Sequence, residues 1–184
     1  MRSRVLAPAR GFSLIELLLT VAIAATLAAI ALPILNTVSD STKLNTETQK
    51  VEREMQTARL KSVSTNTVLR FRTNCPSTGY VRTVEVLGTS ADAGTTRCDP
   101  TTYPWKTVAP DFATPPNFDG PVRMLINAAT VTTLNVEFRP NGTAWQVDGS
   151  GVVTAISTSV TVTVTRNGKS RDITVNPMGK ILLQ

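Results

Sequence analysis

A single carboxylate, Glu16, stands inside an apolar run that begins at Phe12 and continues to Leu35. An ionised carboxylate in such surroundings costs on the order of 2–3 kcal/mol or more unless a cation faces it, so Glu16 requires a partner. The rest of the chain carries few reactive groups. It has 0 histidines, which excludes every histidine-dependent triad, histidine general base and histidine-ligated metal. Cys75 and Cys98 are too few to complete a four-ligand metal site without histidine or a CxxC pair. Asp92, Asp99, Asp111 and Asp119 lack the spacing of a calcium loop, so neither a metal nor a cofactor is expected. No acid and nucleophile stand in a catalytic pattern, and the chain reads as a non-enzyme.

The elements around Glu16 have to position it. About 20 apolar residues cross a hydrocarbon core of roughly 30 Å as a helix, and residues 12–35 meet that length. Arg2, Arg4 and Arg10 precede the run, and the next base is Lys43. That asymmetry places the N-terminus in the cytoplasm and the bulk of the chain outside. A secretory signal peptide has a shorter apolar region, about 7–15 residues, ended by a small-residue cleavage site. Pro33 either bends the helix or marks the membrane exit. Residues 36–63 contain no Gly or Pro and set Leu44, Val51, Met55 and Ala58 on one stripe, which predicts an amphipathic helix continuing the first. As one rod, residues 12–63 would span roughly 78 Å. Lys43, Glu47, Lys50, Glu52, Arg53 and Glu54 read as its solvated face. Net charge is +6, and the mild basic excess beyond the apolar run names no partner by itself.

The residues Gly11-Phe12-Ser13-Leu14-Ile15-Glu16-Leu17-Leu18, behind a short basic leader, resemble the processing site of type IV prepilins and type II secretion pseudopilins. The resemblance implies that a prepilin peptidase cuts between Gly11 and Phe12 at the cytoplasmic face and methylates the new N-terminus at Phe12. Residues 1–11 are then a leader and residues 12–35 a transmembrane and filament-core helix. The implied surroundings are inner-membrane lipid first, then other pilins or pseudopilins in a pilus or pseudopilus. Glu16 would neutralise the N-terminal amine of a neighbouring subunit as the helices stack, which makes it a register device. Pro33 falls where pilin stalks carry a proline. The plain alternative is a signal anchor whose Glu16 lies at headgroup level.

Past Val63 the pattern changes to short β-like segments over residues 67–73, 80–87, 122–126, 133–138, 144–147, 160–165 and 173–175. Val160 to Thr165 alternates strictly, and Asn167-Gly168 is a two-residue hairpin signal. Asn141-Gly142-Thr143 also reads as a turn, although it fits a glycosylation triplet. Residues 88–120 are rich in Pro, Thr and Asp and read as a long surface loop. The fold expected is α+β and pilin-like: a long N-terminal helix, its second half at 36–63, followed by an antiparallel β-sheet head at 64–184. Phe138-Arg139-Pro140-Asn141-Gly142 and Asn176-Pro177-Met178-Gly179-Lys180 resemble the GspH/FimT branch of minor pilins and pseudopilins, whose heads carry two small antiparallel sheets.

A head exported past the membrane sits where disulfides persist, so a Cys75–Cys98 bridge is expected, against two separate buried thiols. Arg166, Lys169 and Arg171 crowd one turn, with Lys180 nearby in sequence. Some FimT-like minor pilins act as DNA receptors through basic residues near the C-terminus, which makes DNA a candidate partner through these four. This chain has one base, Lys180, where that tail has two, and a solvated turn is the plain reading. Trp105 and Trp145 read as core or loop anchors.

Overall fold

Apolar and helix-forming residues uninterrupted by glycine carry one helix, α1 (Leu14–Thr65), with Pro33 inside it. In this computed structural model the described residues are 12–92, 94–105, 118–126 and 128–184. The chain divides into two compact units, Met1–Ser39 and Asp40–Gln184, and the division falls inside α1. The helix ends where Asn66 takes a left-handed conformation (φ 54) and the Thr67 N–H donates back to the Ser62 carbonyl at 3.2 Å, a Schellman stop with asparagine in the usual glycine position.

The second unit holds two antiparallel sheets. The larger orders its strands β3 (Arg123–Met124), β2 (Tyr80–Glu85), β1 (Leu69–Thr73), β5 (Asn135–Phe138), β6 (Ala144–Val147) and β7 (Val153–Ala155). The smaller orders β10 (Ile181–Leu183), β9 (Lys169–Val175), β8 (Val160–Arg166) and β4 (Thr130–Val131). The stripe Leu44, Val51, Met55 and Ala58 is buried and joins Phe71, Val81, Val136 and Phe138 of one sheet and Val162, Val164, Ile173 and Val175 of the other in a single core. Glu47 corrects the solvated-face reading. It stands three residues after Leu44 and four before Val51, hence on the buried stripe, and is 2% exposed. Its carboxylate accepts from the Ile126 N–H and from Lys50, both at 3.0 Å, so the buried charge is satisfied.

The sheets meet through two turns of the same build. In Arg139–Thr143 and Asn176–Lys180 the first residue donates its N–H to the fifth residue's carbonyl, at 3.0 and 3.1 Å, and proline stands second. The fourth is a left-handed glycine, Gly142 at φ 84 and Gly179 at φ 67. Gly179 is fixed twice over, because a Cβ there would also run into the Gly142 carbonyl and the Arg59 guanidinium.

The other face of the large sheet departs from expectation. Arg70, Arg72, Arg82 and Glu137 share that face by register, and all four are buried. What covers them is the segment read as a surface loop, which includes short 3₁₀ turns at Ser90–Asp92 and Thr95–Cys98. Arg70 donates to the Asp92 carbonyl at 3.0 Å, Arg72 to the Gly94 carbonyl at 2.7 Å and Arg82 to the Arg97 carbonyl at 2.8 Å. Arg70 also grips Glu137 through Nε at 3.0 Å and through Nη2. The sheet therefore holds this segment with guanidinium donors on backbone carbonyls, where an apolar layer would be usual.

Cys75 and Cys98 form a disulfide that ties the end of the second 3₁₀ turn to the chain just after β1. Under the loop-closure argument, the Cys75→Ala/Cys98→Ala chain is expected to lose about 3 kcal/mol of stability. The check is its urea midpoint, with the reduced wild-type chain expected to fall to the same value.

Candidate functional site

Ser13 supplies the first helical carbonyl, accepting from the Leu17 N–H at 3.1 Å, and Glu16 lies in the first turn of α1. A carboxylate there is favourably placed against the positive end of the helix dipole. Phe12 is 80% exposed, and the apolar side chains of Leu14, Ile15, Leu17, Leu18, Leu19, Val21, Ile23, Leu27, Ile30, Ile34 and Leu35 are all exposed as well. This helix is long and apolar enough to cross a membrane, and none of its apolar window is buried among the described residues. Both threonines in the run bond back to their own helix: Thr20 donates to the Leu17 carbonyl at 2.9 Å and Thr26 to the Ile23 carbonyl at 2.8 Å. Such back-bonding satisfies the two threonine hydroxyls in an apolar surround. Glu16 has no such closure, and among the described residues it has no partner.

Pro33 removes one backbone donor, and Thr37 donates to the Pro33 carbonyl at 3.0 Å. Gly11 and the leader before it lie outside the described residues, as does Asp111.

The basic residues do not form one patch. Arg166 is buried and paired with Asp40, Nη1 to Oδ1 at 2.5 Å. Hydrogen bonds from Arg166 and Asn167 hold the Asp40 carboxyl below its ordinary range. Lys169 is exposed at the β8–β9 turn and Arg171 is half-buried on β9. Lys180 belongs to the β9–β10 turn, at the far end of β9, roughly 24 Å along the strand from Lys169. Nearness in sequence misled here because a strand separates what a helix would have brought together.

The aspartates have structural work. Asp92 accepts from the N–H groups of Leu87, Gly88 and Thr89 at 2.9, 2.7 and 3.2 Å. Asp99 closes a turn on Thr101, whose N–H and hydroxyl lower its pKa. Asp119 is fully buried and accepts from Arg97 at 2.6 Å and from the Glu85 N–H at 2.8 Å. Arg97 also donates to the Glu85 carbonyl at 2.8 Å, and its guanidinium lies 4.8 Å over the Tyr103 ring. Burial pushes the Glu85 carboxyl up, opposed by the Phe118 N–H that donates to it at 2.7 Å. Trp145 is half-buried beneath the Arg139 guanidinium at 3.7 Å, and Trp105 is exposed. No signal in the sequence marks Arg97 and Asp119 as a buried pair, since they are far apart along the chain.

Residues 6–32 match the family model for the prokaryotic N-terminal methylation motif, the N-terminal signature of type IV prepilins. No curated protein matches the chain. Two crystal forms of the type IV minor pilin FimU from Pseudomonas aeruginosa are similar in structure. One is 16% identical with a TM-score of 0.46, over 80% of this chain and 92% of FimU. The other is 17% identical with a TM-score of 0.42, over 77% and 92%.

Proposed function

We propose that this chain is a prepilin cut between Gly11 and Phe12, methylated on Phe12, held in the inner membrane by residues 12–35 and built at low copy into a filament as a minor pilin or pseudopilin. Its role is structural: the exposed apolar helix packs in the filament core and the β-rich head contacts other subunits outside the cytoplasm. The observation that carries this reading is the methylation motif over residues 6–32, overlapping an apolar helical window none of which is buried among the described residues. The low-copy assignment follows from the likeness of the Phe138–Gly142 and Asn176–Lys180 turns to the GspH/FimT branch. No arrangement of Lys169, Arg171 and Lys180 among the described residues favours DNA capture as a second reading.

The test is the intact mass of the protein from membranes of a host that has a prepilin peptidase. The expected mass starts at methylated Phe12 and gains two hydrogens on reduction of the Cys75–Cys98 bond. A mass that retains Met1 through Gly11 overturns the proposal and leaves a signal-anchored protein.

A further inference from the structure

The head contains two Asn-Gly pairs in turns of different build. Asn167 and Gly168 are the two central residues of the β8–β9 hairpin, at φ 48 and φ 74, with Arg166 paired to Lys169 across them. Both are exposed, and the Gly168 N–H makes no hydrogen bond among the described residues. In the other pair the Gly142 N–H is occupied, donating to the Arg139 carbonyl at 2.8 Å. The Asn141 side chain is also held there, accepting from the Thr143 N–H at 3.1 Å and its hydroxyl at 2.7 Å.

An asparagine before glycine is open to attack on its side-chain carbonyl by the next backbone nitrogen, because glycine has no Cβ to hinder the approach. That nitrogen must be free of an acceptor, and only Gly168 meets the condition.

We propose that Asn167 is a site of spontaneous covalent modification, deamidating through a succinimide, and that the change opens the contact between the β8–β9 hairpin and Asp40. The Gly168 nitrogen bonds to Asn167 Cγ, the Cγ–Nδ2 bond breaks, and ammonia leaves carrying the Gly168 proton. Water then adds to one of the two ring carbonyls, the bond from that carbon to the Gly168 nitrogen breaks and the nitrogen regains a proton, giving aspartate when Cγ is attacked and isoaspartate when the backbone carbonyl is. At present Asn167 Nδ2 donates to Asp40 Oδ2 at 3.1 Å while Arg166 donates to Oδ1 of the same carboxylate. Deamidation replaces that donor with a second carboxylate facing Asp40, and one guanidinium is left between two like charges. Isoaspartate in addition lengthens the backbone in a turn that has room for two residues.

The full chain in detergent, incubated at mildly alkaline pH, is sampled by mass spectrometry of chymotryptic peptides. The peptide over residues 146–178 is expected to exchange NH2 for OH about tenfold faster than the peptide over residues 139–145, the factor one added backbone hydrogen bond gives. An unchanged 146–178 peptide, or equal conversion of the two, overturns the site. For the consequence, Asn167→Asp is expected to unfold at lower temperature than wild type, and Asp40→Asn in that background is expected to recover the loss. An Asn167→Asp chain as stable as wild type overturns the opening of the contact.

Discussion

Replacing Glu16 with leucine is expected to leave the chain at its normal level in the membrane and to deplete it from sheared filaments by about a hundredfold, the factor for one unpaired charge of roughly 3 kcal/mol. Between Phe12 and Ser39 it is the one charged side chain, and Thr20, Thr26 and Thr37 satisfy their hydroxyls on their own helix. Cleavage after Gly11 would create a second such group, the amine of Phe12. Two unpaired ions in an apolar bundle are costly, and one matched pair between neighbours is far less so. Leucine makes the helix more apolar, so failed insertion cannot explain the loss. The check is an immunoblot of sheared filaments beside the membrane fraction, and incorporation at the wild-type ratio would sink the role given to Glu16.

The sequence made local features legible and hid those that depend on distant contacts. Asn167-Gly168 announced its hairpin because both residues tolerate the positive φ such a turn requires, and the stripe through Leu44 and Ala58 announced the packed side of α1. Strands β4, β7 and β10 went unread because two or three residues carry no measurable alternation. The arginines of Leu69-Arg70-Phe71-Arg72-Thr73 alternate with apolar residues and so look solvated, yet every residue of β1 is buried. Their cover comes from residues 20 to 22 positions away, whose carbonyls accept from them and which the Cys98 bridge ties down. A Thr- and Pro-rich composition cannot show that. The methylation motif was legible because its residues are consecutive, Gly11 to Leu18 lying inside the matched stretch 6–32.

Arg97→Met is expected to destabilise the head by about 3–5 kcal/mol, because it removes one member of a buried ion pair and leaves the other without its cation. The side chains of Arg97 and Asp119 are both 0% exposed. Without Arg97, Asp119 keeps the Glu85 N–H and a distant Arg82, whose Nη2 lies 3.9 Å from Oδ2. Methionine also strands the Glu85 carbonyl that Arg97 had satisfied. For a unit of this size the loss corresponds to a melting temperature lower by about 10 °C, read by circular dichroism. The comparison that isolates burial is Arg123→Met. Arg123 and Glu54 are only slightly farther apart, 2.8 Å against 2.6 Å, but Arg123 is 46% exposed. Its loss is expected to change stability by less than about 1 kcal/mol. The pH dependence separates the charge effect from simple cavity formation. Burial pushes the Glu85 carboxyl up, and the nearby Arg97 charge opposes that rise by favouring its ionised form. The part of the Arg97→Met deficit that comes from Glu85 should therefore be full where Glu85 is ionised and shrink as pH falls through its folded pKa, whereas a packing defect alone would leave it flat.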